Sequence, residues 1–356
     1  MAESALMIAW LGLALAVSAL LTGLVRRYAL AGGMLDVPNA RSSHSLPTPR
    51  GGGLAIVLVT LAGLVWLYRQ GLMAGSVFTA LAGAGVLVAA VGWFDDRGHV
   101  AARWRLLVHF VAAGWGLAWL GGLPSFELFG VVLEPGVPGF CLGLLCLVWL
   151  LNLYNFMDGI DGIAGVEVVS VCAGACWLGW LAGVAPVELL PPALLAAASL
   201  GFLCWNWPPA RIFMGDAGSG FIGLMLGLLS VLAAHQSLLL FAGWLILLAV
   251  FVCDASVTLL RRLVRGQHLA QAHCSHAYQQ AARRCASHSA VTLSVLAINL
   301  CWLLPLASLA VLGMLAPVFG LVLAYAPLIF LALCLRAGVA DPAVSTPNPP
   351  KQTTGP

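Results

Sequence analysis

The sequence predicts an all-α integral membrane protein of about eleven transmembrane helices. Three observations carry that reading. The chain of 356 residues is 62% hydrophobic and only 8% charged, against about 25% charged in a soluble domain. Its mean hydropathy is +1.01. Apolar runs of roughly 20 residues recur throughout, each long enough to cross a bilayer.

The spans are expected at about 4–25, 52–69, 75–94, 104–121, 138–154, 163–183, 190–206, 217–234, 237–259, 289–310 and 314–335. Irregular backbone is not tolerated facing lipid, so each is read as a helix. Basic residues orient them. With the N-terminus periplasmic and the C-terminus cytoplasmic, all of the 16 basic residues except Arg69 fall on the cytoplasmic side, a strong positive-inside asymmetry. The same topology puts Asp36, Asp95, Asp96, Asp158, Asp161 and Asp216 at the cytoplasmic face, and Glu127, Glu134 and Glu188 at the other.

Residues 122–137 read as a small hairpin between spans. The chain thus divides into a transmembrane domain over 1–340, with its active-site loops in the cytoplasm, and a Pro- and Thr-rich tail over 341–356 that is expected to be disordered. No cleavable leader is expected, because no basic residue precedes the first apolar stretch. Of the ten cysteines, eight lie inside apolar runs and none shows paired loop spacing, which excludes a secreted disulfide framework.

The chemistry sits between the spans. Asn152 to Gly162 reads NLYNFMDGIDG and joins two apolar runs. On a helix, spacings of three would put Asn152, Asn155, Asp158 and Asp161 on one slowly drifting face. Their oxygens suit a hard cation such as Mg²⁺, which takes one or two such ligands and shares the rest with phosphates and water. A plain polar turn needs one Asp-Gly pair, and this stretch has two.

The first loop, Asp36 to Gly53, combines Arg41, His44 and Arg50 with three glycines that open a span, where backbone can approach an anion closely. No nucleotide P-loop pattern is present. The third span ends in WFDDR, and the adjacent Asp95 and Asp96 can divide metal binding, proton acceptance and pairing with a basic neighbour such as Arg97 or Arg103. Asp216 lies in a glycine-rich turn, RIFMGDAGSG, that opens another helix and suits a metal-bound diphosphate; a helix N-cap is its simpler use.

The longest cytoplasmic loop, from about Arg261 to His288, carries Arg261, Arg262, Arg265, His268, His273, Cys274 and His276. It reads as a donor-rich grip on a nucleotide diphosphate. Zinc spacing is absent from it. Glu167 and Asp254 lie within about two turns of the cytoplasmic surface and could support the same site.

Taken in order, D-x-P-N-x-R…H…P-R-G-G, W-F-D-D, N-x-x-N-x-x-D-G-I-D-G, F-M-G-D-x-G-S and a basic loop with spaced histidines resemble one family over about residues 20–285. It is that of the polyprenyl-phosphate N-acetylhexosamine-1-phosphate transferases, the WecA and MraY type of glycosyltransferase family 4. The resemblance implies Mg²⁺, or Mn²⁺ in its place, and a reaction in which a UDP-N-acetylamino sugar and undecaprenyl phosphate give the lipid diphospho-sugar and UMP. It implies metal ligation by Asn155 and Asp216, and roles in catalysis and at the lipid phosphate for Asp95 and Asp96. Asp158 and Asp161 match the family's central acids, Asn152 its first amide, and His273 and His276 its histidine motif. Here the chain departs from the pattern, reading H-C-S-H-A-Y-Q. It lacks the triple histidine of the peptidoglycan-precursor enzymes and is more similar to the WbpL-like subset that initiates O-antigen synthesis.

A secondary transporter would place its ionisable groups near the bilayer midplane within repeated halves, and no repeat is evident. A CDP-alcohol phosphotransferase would need DG-x₂-AR, but Gly159 is followed by Ile160, Asp161 and Gly162. The expected setting is the bacterial inner membrane, multi-pass, with the bilayer, the UDP-sugar and the polyprenyl phosphate as partners. A homodimer is compatible with this reading, and no nucleic-acid partner is expected.

Overall fold

The computed structural model describes residues 2–38, 46–98, 100–128, 131–267 and 273–339. Arg41, His44, His268 and the C-terminal tail lie outside the described residues. Helix α1 (Ala2–Ala31) is followed by two short strands, β1 (Leu35–Asp36) and β2 (Thr48–Pro49), then α2 (Gly53–Arg69), α3 (Gly75–Arg97) and α4 (Ala102–Trp119). Strands β3 (Phe126–Leu128) and β4 (Val131–Leu133) form the expected hairpin, with Phe126 opposite Leu133. Next come α5 (Gly136–Met157), α6 (Ile163–Leu181), α7 (Leu190–Asn206), α8 (Asp216–Gln236), α9 (Leu238–Leu247) and α10 (Ala249–Val264). The chain closes with α11 (Ala277–Cys285), α12 (His288–Ile298), a π-helical turn (Asn299–Leu303), α13 (Leu304–Val311) and α14 (Pro317–Cys334).

A helix occupies each expected span, yet among the described residues only eight are long and apolar enough to cross a membrane, or nine if α9 and α10, bent by 64°, count as one. Helix α2, at 17 residues, is at the short end for a span. The first turn of α4 carries Arg103 and Arg105, which lower its hydropathy below that of a span.

Helix α8 is the hub. Nearly all its side chains from Ala217 to Ala234 are buried, and it packs against α2, α3, α5 and α9. In lipid, helices associate through close packing of small residues rather than through exclusion of water. Gly223 and Gly227 meet this need on the side facing α5: a Cβ on Gly223 would lie 2.8 Å from Leu151 Cα, and one on Gly227 2.5 Å from Leu147 Cδ2. Tyr154, Phe202, Phe221 and Phe251 fill the bundle interior. Large apolar side chains on the outer helices, among them Leu13, Trp104, Leu142 and Phe330, stay exposed, as a lipid-facing surface requires.

Candidate active site

The end of α3, the starts of α4 and α8, and the end of α5 meet at one end of the bundle. The sequence explains the local turns there. The chain leaves α5 at Met157 because Asp158-Gly159 and Asp161-Gly162 favour turn over helix, and Gly162 takes φ +77°, open to glycine at little cost. Asn152 and Asn155 therefore lie on α5, while Asp158 caps its end and Asp161 sits in the turn, so the four polar groups do not share one helical face as their spacing predicts. Gly215, at φ +79°, turns the chain into α8, and a Cβ there would come within 2.6 Å of Asp96 Oδ2.

Arg105 is the junction of the site. Its Nη1 donates to Asp95 Oδ2 and, at 2.8 Å, to Asp216 Oδ2. Asn155 Nδ2 donates to Asp216 Oδ1 at 3.0 Å and to Ser219 Oγ at 2.9 Å. The Val100 amide donates to Asp95 Oδ1 at 2.8 Å. Asp95 thus pairs with Arg105 and not with Arg97 or Arg103. Arg97 stacks 4.5 Å over Trp93, and Arg103 lies over Trp104.

Asp96 does different work from Asp95. It is 3% exposed, and its two oxygens accept from the amides of Asp216 at 3.1 Å and Ala217 at 3.2 Å. It caps α8 from a neighbouring helix, so the capping role that sequence allows for Asp216 belongs to Asp96. Arg50 Nη2 donates to the Asp96 carbonyl at 2.5 Å, which brings the first loop to the site. The glycines of that loop serve backbone packing. The amides of Gly52 and Gly53 donate to the carbonyls of Phe213 and Met214 at 2.9 and 2.8 Å, which occupies donors that the sequence offers to an anion.

Asp161 accepts from the Ala210 amide at 3.0 Å, and His288 Nδ1 lies 3.4 Å from both its Oδ2 and its backbone N. Asn152 turns its amide back onto Val148 O at 2.7 Å, one turn from Asn155. Burial, with Asp216, Asp96 and Asp161 nearby, pushes the Asp158 carboxyl up to about 7. Asp158, Asp216 and the Asn155 amide are oxygen-bearing groups of the kind Mg²⁺ takes one or two of, sharing the rest with phosphates and water. Among the described residues, no three acid, histidine or cysteine side chains gather closely enough to hold a metal by themselves.

The histidine loop is tied to this centre through Tyr278. The rings of His273 and His276 stack at 4.9 Å, and those of His276 and Tyr278 at 5.6 Å. Tyr278 Oη donates to Phe156 O at 3.0 Å, and any Cβ on Gly159 would meet that hydroxyl. Asp254 anchors the loop from α10, accepting from the amides of Ala277 and Tyr278 at 2.8 Å each, with His276 Nδ1 3.4 Å away. His276 is only 2% exposed. Burial, then the neighbouring His276 and Arg262, pull His273 down to about 3, so its ring is neutral at physiological pH. Arg265 points elsewhere, donating to Gly338 O at 3.0 Å.

The sequence reading passed over Arg105 as a bridge, and over His288 and Ser219. For Arg105 the available signal was two arginines at the start of a span, next to an acid pair.

Parts of the chain are similar to known proteins. A family profile described as Glycosyl transferase family 4 matches residues 78–234, which hold Asp95, Arg105, Asn155 and Asp216. The chain is 28% identical over 268 residues, 73% of each chain, to "Probable undecaprenyl-phosphate N-acetylglucosaminyl 1-phosphate transferase" of Bacillus subtilis (strain 168). It is 31% identical over 237 residues to "Decaprenyl-phosphate N-acetylglucosaminephosphotransferase" of Mycolicibacterium smegmatis (strain ATCC 700084 / mc(2)155), covering 60% of this chain and 56% of that one. A 56-residue stretch is 54% identical to "Phospho-N-acetylmuramoyl-pentapeptide-transferase" of Chlamydia trachomatis serovar L2 (strain ATCC VR-902B / DSM 19102 / 434/Bu), 16% of this chain and 17% of that one. Over its central part the chain is thus similar to bacterial proteins of glycosyl transferase family 4, and its long apolar helices fit a multi-pass membrane protein.

Proposed function

We propose that the protein transfers an N-acetylamino-sugar 1-phosphate from a UDP-sugar to undecaprenyl phosphate, releasing UMP, at the cytoplasmic face of the bacterial inner membrane. The observation that carries this reading is Arg105 bridging Asp95 and Asp216, with Asn155 on the same Asp216, at the ends of membrane-length helices. An acceptor phosphate held in the bilayer surface and a water-soluble nucleotide donor can meet only at such an interface. In the transfer, an oxygen of the lipid phosphate bonds to the phosphorus that carries the sugar, and the bond from that phosphorus to the UMP oxygen breaks.

Such chemistry depends on positioning and charge neutralisation. Asn155 and Asp216 would hold Mg²⁺, with Mn²⁺ as its substitute, and the ion when bound neutralises phosphate charge. Asp95 and Arg105 lie where the end of α3 reaches the membrane surface, and they orient the acceptor phosphate. Arg50 supplies positive charge on the same side, and His273, backed by the buried His276 and Tyr278, would contact the nucleotide. The H-C-S-H-A-Y-Q motif and its missing triple histidine favour a WbpL-like role in starting an O-antigen or another envelope glycan.

The test is UMP release by purified protein given undecaprenyl phosphate, Mg²⁺ and a panel of UDP-N-acetylamino sugars. Release with at least one donor, dependent on the lipid acceptor, is expected. No release from any donor would overturn the reading.

A further inference from the structure

Glu167 and Asn299 form a polar contact inside the bilayer-length part of the bundle, and the transfer chemistry makes no use of it. Glu167 lies on α6 and is 0% exposed; Asn299 opens the π-helical turn and is 2% exposed. Asn299 Nδ2 donates to Glu167 Oε2 at 2.7 Å and to Ser170 Oγ at 2.8 Å. Among the described residues, neither Glu167 Oε1 nor Asn299 Oδ1 has a hydrogen-bond partner. Polar groups within a membrane are costly and are kept for function, and single π-helical turns cluster at functional places.

The position of Asn299 shows what the contact holds. His288, Thr292 and Asn299 are spaced by four and seven residues, which puts them on one side of the same helical rod. That side runs along the Asp158–Asp161 loop and the start of α6. At the top, His288 Nδ1 is 3.4 Å from Asp161 Oδ2. One turn down, the buried Thr292 donates its Oγ1 to Asp161 O at 2.9 Å. Below that, Asn299 takes hold of Glu167, little more than one turn after the loop ends. Two successive grips therefore join the rod to Asp161 in the loop, and a third joins it to the start of α6 just beyond.

We propose that α12 and its π-helical turn form a strut that sets the angle of the Asp158–Asp161 loop, with Glu167 and Asn299 as positioning residues. The π-helical turn widens the rod where Asn299 reaches α6, so the grip at Glu167 registers α12 against the loop. The kinetic arm of the test rests on the transferase reading; the exchange arm does not.

The experiment compares Glu167→Gln, Glu167→Leu, Asn299→Leu and Thr292→Val in the full chain, in lipid nanodiscs. Glu167→Gln keeps an oxygen for Asn299 Nδ2 and adds an N–H that can donate to Asn299 Oδ1, so kcat should stay within about threefold of the unmodified protein. Glu167→Leu and Asn299→Leu should lower kcat by about tenfold or more with donor KM nearly unchanged, since a small misplacement of a reacting group is costly. Hydrogen exchange of the amides at 159–165 should rise in both Leu variants and stay unchanged in Glu167→Gln. Unchanged kcat in Glu167→Leu, an equal loss in Glu167→Gln, or unchanged exchange in the Leu variants would overturn the strut. If the Leu variants fail to fold, the near-isosteric Thr292→Val decides: faster exchange at 159–165 supports the strut, and unchanged exchange overturns it. If the unmodified protein releases no UMP, the transferase reading fails, and exchange alone judges the strut.

Discussion

Asp96 holds the start of the helix that carries Asp216: its Oδ1 accepts from the Asp216 amide at 3.1 Å, and its Oδ2 from the Ala217 amide at 3.2 Å. Adjacent carboxylates in one sequence motif thus have separate tasks. Asp96→Asn should lose stability by about 1–3 kcal/mol, because an NH₂ would then face one of the two amides at a buried position. Asp95→Asn keeps an oxygen for the Val100 amide, and Arg105 keeps Asp216, so it should cost less stability than Asp96→Asn while lowering kcat with little change in donor KM. Thermal unfolding of both variants in one detergent checks the division; equal melting temperatures for the two would refute it.

Asp216→Ala is expected to abolish turnover while the fold survives. The first turn of α8 is capped by Asp96, so the Asp216 side chain is not needed to start the helix. The same variant should lose any Mg²⁺-dependent rise in melting temperature that the unmodified protein shows. Normal UMP release by this variant at ordinary Mg²⁺ would remove Asp216 from the metal site.

Gly53 and Gly218 bring two backbones into contact. A Cβ on Gly53 would stand 2.4 Å from Gly218 Cα and 2.8 Å from Met214 Cγ. Backbone cannot swing aside as a side chain can, so Gly53→Ala should cost about 1–3 kcal/mol. Gly12→Ala, where no atom of the described residues lies within 4 Å, is the control and should be neutral to slightly stabilising. Thermal unfolding compared between the two glycine variants tests the point.

His273 gives a pH dependence whose sign can be worked out. Its folded value is depressed to about 3, whereas an unfolded histidine titrates near about 6.5. As pH falls below that unfolded value, the unfolded chain takes up a proton that the folded ring refuses. Stability is therefore lost progressively from about pH 6.5 down towards pH 3, and nothing is lost above that window. His273→Gln should flatten the melting temperature against pH between about 6.5 and 4. A slope identical to that of the unmodified protein would show that His273 contributes nothing there.

Much of this architecture could be read from the chain. The helix at Asp216 was visible because a glycine-rich turn meets an apolar run, and the 122–137 hairpin because its apolar residues alternate between turn formers. The expected eleven spans exceed the eight or nine long apolar helices among the described residues because apolar length alone does not register the bend at Leu248, the 17 residues of α2, or the arginines in the first turn of α4. Within the site, four evenly spaced polar groups suggested one helical face, and two Asp-Gly pairs broke it. Arg105 lay in plain view, but its partner Asp216 is 111 residues away. Nothing local distinguishes it from Arg103, which lies over Trp104 instead. His288 and Asn299 were harder still, since their roles depend on how α12 lies against a loop over 120 residues earlier.

Helix α8 is enclosed on every side by other helices. Bilayers differ in thickness, and a span answers a mismatch by tilting or by drawing the lipid in. Here those adjustments are expected to fall on the outer helices, such as α1 and α14, whose apolar faces are exposed. Asp216 rides on a piston that the membrane cannot grip. The geometry of Asp216 against Asp96 and Asn155 is therefore expected to stay the same in thick and thin bilayers.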